Sequence, residues 1–263
     1  MNSNSQSIRL TSGFCGAGNP DHPVVKALQA GHPVLDGARR ECLKTNAQAE
    51  SGLLFSDFSP DPVFYKRYPS RWRNRILGHL GIRSRARRVW EFSTYLKGHN
   101  APVATPLAYL DGSAESWFFC EALPQHPSLN QWLEDDALPD AALLSEQAAQ
   151  AIATLHNAGV VHRDFKWGNV LFSATGDLII ADLDGARFHH QPRRADLARD
   201  LARFSVNGLE VGLTQSWARS FIGRYCKIRG IPVERLLPAV ARSVTVISKR
   251  HQKRYRRPPV SLT

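Results

Sequence analysis

The stretch His162-Arg163-Asp164-Phe165-Lys166-Trp167-Gly168-Asn169 puts a carboxylate, an amine and an amide within six residues, and Asp182 follows thirteen residues after Asn169. Groups of these types suit phosphoryl transfer. That reaction needs a base to orient an attacking hydroxyl, a cation beside the moving phosphate and oxygen ligands for a divalent metal. In this scheme Asp164 accepts the proton of a substrate hydroxyl and Lys166 sits near the transferred phosphate. Asn169 and Asp182 hold Mg²⁺, which favours one or two carboxylate or carbonyl oxygens completed by phosphate and water.

For this chemistry the chain must bring Asn169 and Asp182 together. Val170-Leu171-Phe172, a turn at 174–177 and an apolar strand from Leu178 to Ala181 read as the hairpin that does so. Upstream, Asp140 is an N-cap, and Leu144, Ala148, Ile152 and Leu155 recur on one face of a helix that stops near Gly159. That helix delivers the chain to His162. Earlier still, Val63-Phe64-Tyr65-Lys66 reads as a strand bearing a lysine, bounded by Pro62 and Pro69. A lysine there reaches the α and β phosphates of a nucleotide if a carboxylate holds its stem. Glu91 is the one acidic residue between Asp61 and Asp111, on a helical stretch from Ala86 to Leu96; its competing role is to neutralise neighbouring arginines.

The flanking segments are less specific. Residues 1–34 are polar and rich in Gly and Pro, the composition of an extended arm. Glu41 to Thr45 and Leu53 to Phe55 read as a hairpin about a polar turn, with Gly52 its only glycine. Strands at 106–110 and 116–120 flank the turn Asp111-Gly112-Ser113. Trp72, Ile76 and Leu80, spaced by four among arginines, make a helix face that either packs on the small sheet or lies at a membrane interface.

A net charge of +11 and a pI near 9.9 imply an anionic partner without choosing among nucleotide, nucleic acid and lipid. Lys66 to Arg88 holds nine Lys/Arg and no acid, and Lys249 to Arg257 holds six more. The latter run has Tyr255 as its only aromatic and matches no nucleic-acid module, so no specific nucleic acid is expected. No run approaches the eighteen apolar residues of a membrane span, and Met1 to Leu10 lacks a signal-peptide core, so the expected address is cytoplasmic. Four scattered cysteines suggest neither a zinc site nor a disulfide framework.

Lys66, Glu91, the 162–169 loop and Asp182, in that order, resemble the protein-kinase-like superfamily. Lys66-Arg67-Tyr68 after a strand, Ala181-Asp182-Leu183-Asp184, and Arg199-Asp200-Leu201-Ala202-Arg203 resemble the bacterial lipopolysaccharide kinase family, with its inner-core heptose and 3-deoxy-octulosonic acid kinases. The resemblance implies an α+β, two-lobed kinase-like fold with a small antiparallel-sheet N-lobe and a mainly helical C-lobe. Its boundaries would be an arm at 1–34, lobes at 35–121 and 122–248, and a basic tail at 249–263. It implies ATP and Mg²⁺ as cofactors, Lys66 and Glu91 as the nucleotide clamp, and backbone groups of Glu121 and Leu123 at the adenine edge. The implied acceptor is a sugar hydroxyl of the lipopolysaccharide core oligosaccharide, reached from an anionic membrane surface at the inner face of the inner membrane. Seventeen residues separate Asp182 from Asp200 and no Ala-Pro-Glu occurs, leaving little room for a loop that docks a polypeptide. A protein kinase, a small-molecule kinase of the aminoglycoside type and a non-catalytic nucleotide-binding scaffold are the alternatives.

Overall fold

The structure, a computed structural model, describes residues 5–10, 13–32, 34–69 and 83–262. The chain divides into two compact units, Met1–Lys97 with Ala104–Leu123, and Gly98–Val103 with Pro124–Thr263. The first is mainly sheet and the second mainly helix, the α+β division expected from the sequence. Trp72, Ile76 and Leu80 lie outside the described residues.

In the first unit the elements run β1 (Gln6–Arg9), β2 (Cys15–Gly18), α1 (Pro23–Gln29), α2 (Val34–Gly37), β3 (Arg39–Asn46), β4 (Ala49–Ser56), β5 (Ser59–Pro69), α3 (Arg85–Gly98), β6 (Pro106–Asp111) and β7 (Glu115–Glu121). The strands form one antiparallel sheet in the order β1-β2-β6-β7-β5-β4-β3. Burial alternates along β5, where Val63 and Tyr65 enter a core with Ile8, Val25, Leu28 and Trp117. The period-two pleat therefore turns Lys66 to the other face, opposite Phe118 of β7 and Ser51 of β4.

The Gly/Pro-rich stretch expected as an arm is instead part of this sheet. It supplies β1, β2 and α1, and Val24, Val25, Ala27 and Leu28 are all buried. Its glycines serve close approach rather than mobility: a Cβ on Gly16 would strike the Tyr109 carbonyl, and one on Gly18 would stand 2.8 Å from a Val25 methyl. The hairpin over residues 39–56 closes on a tighter turn than expected. There Asn46 Oδ1 accepts from Gln48 N at 2.8 Å and Ala49 N at 3.1 Å, so an Asn side chain, not glycine, makes the bend.

The second unit contains α4 (Leu129–Glu134), α5 (Ala141–Asn157), β8 (Val160–Val161), β9 (Val170–Phe172), β10 (Leu178–Ile180), β11 (Arg187–Phe188), α6 (Arg194–Glu210), α7 (Gln215–Arg229) and α8 (Val233–Tyr255). Asp140 caps α5 by accepting from Leu143 N at 2.8 Å, and the predicted face of Leu144, Ala148, Ile152 and Leu155 is buried. β9 and β10 form the predicted hairpin, pairing Val170 with Ile180. The basic tail expected from residue 249 is another difference. Lys249 to Tyr255 continue α8, and beyond it Val260 N donates to Ser248 Oγ at 2.9 Å while Leu262 is buried.

Candidate active site

The loop after β8 displays its functional groups by alternation. Phe165 and Trp167 are fully buried, so Asp164 and Lys166 between and beside them point outward. The anchors enter an aromatic cluster: Phe165 stacks on Phe204 of α6 with centroids 5.2 Å apart, and Trp167 meets Phe204 and Trp217. Asp200 of α6, also fully buried, secures the backbone. Its Oδ2 accepts from His162 N and its Oδ1 from Arg163 N, each at 2.7 Å. These bonds hold Arg163 at φ +69°, a left-handed conformation a non-glycine residue keeps only when its surroundings enforce it.

Asp164 is the centre of a charged cluster. Oδ2 accepts from Lys166 Nζ at 2.7 Å and Asn169 Nδ2 at 3.1 Å, and Oδ1 accepts from Arg203 Nη1 at 3.1 Å. Asn169 Nδ2 also donates to the Asp164 carbonyl at 2.9 Å. With the amide nitrogen so committed, the Asn169 Oδ1 has no partner among the described residues and is the atom left to serve a cation. Ala181 N donates to the Asn169 carbonyl at 2.9 Å, which sets Asp182 beside Asn169 at the open end of the hairpin. Asp182 is exposed at φ +59°. The amide oxygen and adjacent carboxylate match the hard oxygen donors Mg²⁺ takes, so the residues fit the metal. His162 ties both halves together, its Nε2 donating to Ala181 O at 3.0 Å and its Nδ1 accepting from Asp164 N at 3.2 Å.

The protein kinase domain family matches residues 96–202, which hold the loop, the hairpin and Asp200. Over that stretch the chain is similar to the protein kinase domain family. Serine/threonine-protein kinase PknA of Mycobacterium tuberculosis is 28% identical over 167 residues, 62% of this chain and 32% of PknA. CTD kinase subunit alpha of Schizosaccharomyces pombe is 45% identical over 53 residues, 20% of this chain and 9% of that one. The chain thus spans about a third or less of the length of these curated relatives. Among solved structures, WaaP in complex with acyl carrier protein matches with a TM-score of 0.64 and 21% identity, over 88% of this chain and 96% of that one. That likeness is one of fold. The kinase domain and the kinase relatives support a phosphotransferase.

In the sheet unit of this kinase-like chain, Lys66 lies on β5 with its amine 5.9 Å from the Tyr68 ring centre. Glu91 on α3 accepts from Arg83 Nη1 at 2.8 Å and Arg87 Nε at 3.0 Å, the arginine pairing set out as its competing role. Glu121 gives its N–H to Thr105 O at 3.0 Å and takes Thr105 N on its carboxylate at 2.7 Å, so both groups brace the join of β6 and β7. Leu123 is half-buried at the end of the unit.

Three functional elements escaped the sequence reading. Arg203 had a legible signal, since it follows Asp200 by three residues on a helix and so shares its face. The anchors Phe165 and Trp167 had none, because their partners on α6 and α7 are some forty residues away. Nor did His156, which lies fully buried between Tyr225 Oη at 2.8 Å from Nδ1 and Asp200 Oδ2 at 3.3 Å from Nε2. Burial raises the Tyr225 hydroxyl well above its ordinary value, so it donates to Nδ1, and Nε2–H donates to Asp200.

Burial also lowers His156 from its ordinary 6.5, although the Asp200 carboxylate pulls the other way. The folded state then binds fewer protons than the unfolded state as pH falls through about 6.5, and stability is lost toward the lower folded-state value. Melting temperature is expected to fall from about pH 7 to about pH 5, with a shallower fall in His156→Gln, which keeps a donor and an acceptor without titrating. Calorimetric scans with identical slopes for the two proteins would refute this.

Proposed function

We propose that the protein is an ATP- and Mg²⁺-dependent kinase that transfers the γ-phosphate to a sugar hydroxyl of the lipopolysaccharide inner core. The observation that carries the phosphoryl-transfer part is Asp164, held by Lys166, Asn169 and Arg203 beside an Asn169 oxygen free for a metal. Asp164 orients the acceptor hydroxyl and takes its proton as the new oxygen–phosphorus bond forms and the bond to the β–γ bridging oxygen breaks, with ADP leaving. Lys166, about half exposed at 48%, has donors to spare for the transferred phosphate while it touches Asp164. Mg²⁺ at Asn169 and Asp182, when bound, offsets charge on the phosphates. Lys66 serves the nucleotide phosphates, Glu91 holds its stem, and Leu123 serves the adenine edge, as the resemblance implies.

The acceptor rests on the resemblance to lipopolysaccharide kinases and on the short stretch from Asp182 to Asp200. Transfer of labelled phosphate from ATP to dephosphorylated core saccharide tests it. Transfer to a generic peptide or an aminoglycoside, with none to core saccharide, would overturn it. The peptide arm matters because the sequence relatives are serine/threonine kinases.

Charge supports work at an anionic membrane. Residues 211–263 hold twelve Lys/Arg against one acid, a surplus equal to the net +11 of the whole chain, so the remainder is neutral. Arg242, Lys249 and Lys253 are exposed on α8, and no carboxylate pairs with them among the described residues. No helix among those residues is long and apolar enough to cross a membrane. Replacing all three by Ala is expected to weaken binding to phosphatidylglycerol vesicles by roughly one to two orders of magnitude. Co-sedimentation checks this; equal binding of the parent protein to phosphatidylglycerol and phosphatidylcholine would defeat the membrane reading. Acyl carrier protein, present with WaaP, belongs in the same binding experiment as a competing partner.

A further inference from the structure

Arg203 holds Asp164 in the reaction scheme, which gives it no task toward the acceptor. It sits three residues after Asp200 on α6, so one helix face carries both the carboxylate bracing the loop backbone and a guanidinium reaching the loop's own carboxylate. The two Asp164 oxygens are not equivalent. Oδ2 already accepts two hydrogen bonds, from Lys166 at 2.7 Å and Asn169 at 3.1 Å, while Oδ1 accepts one, from Arg203 at 3.1 Å. A carboxylate oxygen offers two acceptor positions, so Oδ2 is filled and the open position is on Oδ1.

Resting on the phosphotransferase reading, we propose that Oδ1 is the proton-accepting oxygen of Asp164. Arg203 then has two tasks: it fixes that oxygen, and it receives an anionic group, a carboxylate or phosphate, on the acceptor beside the reacting hydroxyl. A hydroxyl at Oδ1 shares that oxygen with Arg203 Nη1, and so lies one hydrogen-bonded atom away from the guanidinium. The charge balance invites an anion there. Asp164 is the one carboxylate paired with either Lys166 or Arg203 among the described residues, so two cations share one negative charge. The side chain is also set for display: Nε is buried without a partner, yet 24% of the side chain stays exposed. Guanidinium suits this double task because its planar fork presents several donors at once, which a lysine ammonium cannot do in fixed directions.

The test compares the parent protein with Arg203→Ala and Arg203→Lys on two core saccharides. One bears a carboxylate on the carbon next to the accepting hydroxyl; the other is its neutral methyl ester. Melting temperatures are taken first, and Arg203→Lys, which keeps charge and stem, carries the comparison if the alanine variant melts early. Arg203→Ala is expected to raise KM for the anionic acceptor about tenfold or more while KM for the ester and for ATP changes less than about twofold. Arg203→Lys is expected to restore most of that KM but to keep a lowered kcat on both acceptors, since it supplies charge without the fork. Equal KM changes for the two acceptors in both variants, or unchanged kinetics, overturn the inference alone. A parent protein that transfers phosphate to no acceptor defeats the phosphotransferase reading, and this inference with it.

Discussion

Asp164→Asn is expected to lower phosphoryl transfer by roughly 10²–10⁴-fold, the usual contribution of a positioned general base. The substitution keeps the shape of the side chain but gives up an acceptor. Asp164 meets donors on both oxygens, Lys166 and Asn169 on one and Arg203 on the other. An amide must turn its NH₂ toward one set, so it loses orientation as well as basicity. Stability is expected to change little, within about 1 kcal/mol, because the carboxylate is 35% exposed and its pairs are partly solvated. Single-turnover transfer and a thermal melt, run on the same preparation, separate the two effects. Near-parent transfer by the variant would show that Asp164 is not the base.

How much of this was legible depended on where each signal resided. The loop, its hairpin and the delivering helix were readable because local patterns set them. Leu144, Ala148, Ile152 and Leu155 hold a helical period, and two apolar triplets bracket a five-residue connection. The amino-terminal strands were misread because glycine carries two meanings. Gly16 and Gly18 look like flexible chain, and only the sheet reveals that they let Tyr109 and Val25 come close. The basic tail was misread for a similar reason. Charge hides helical continuity, and Lys249 to Tyr255 extend a helix whose buried face is Leu236, Val240, Val244 and Ile247.

The charged groups show the same limit from another side. Composition identified Glu91 as a solitary acid among arginines, and the structure places Arg83 and Arg87 on it. Spacing identified Asp164 and Asn169, but not that a single amide would donate to Asp164 twice and leave its oxygen for a cation. Sequence spacing specifies which groups share a loop. Which lone pair stays open is decided by residues such as Arg203 that arrive from a distant helix.

Asp200→Asn is expected to be the most destabilising conservative change in the chain, at roughly 3–5 kcal/mol. Asp200 has no solvent exposure and accepts three bonds, from His162 N, Arg163 N and His156 Nε2. An amide has one oxygen. Whichever way it turns, its NH₂ faces a backbone N–H, leaving a buried donor unpaired and stripping the other bonds of their charge assistance. For a chain of this size the melting temperature should drop by about 10 °C. The damage should reach chemistry too, because the two backbone bonds hold Arg163 left-handed immediately before Asp164. Transfer measured well below the variant's melting temperature is therefore expected to remain depressed. Retention of both full activity and full stability would mean that the aromatic anchors Phe165 and Trp167 suffice to hold the loop, and that Asp200 is dispensable to it.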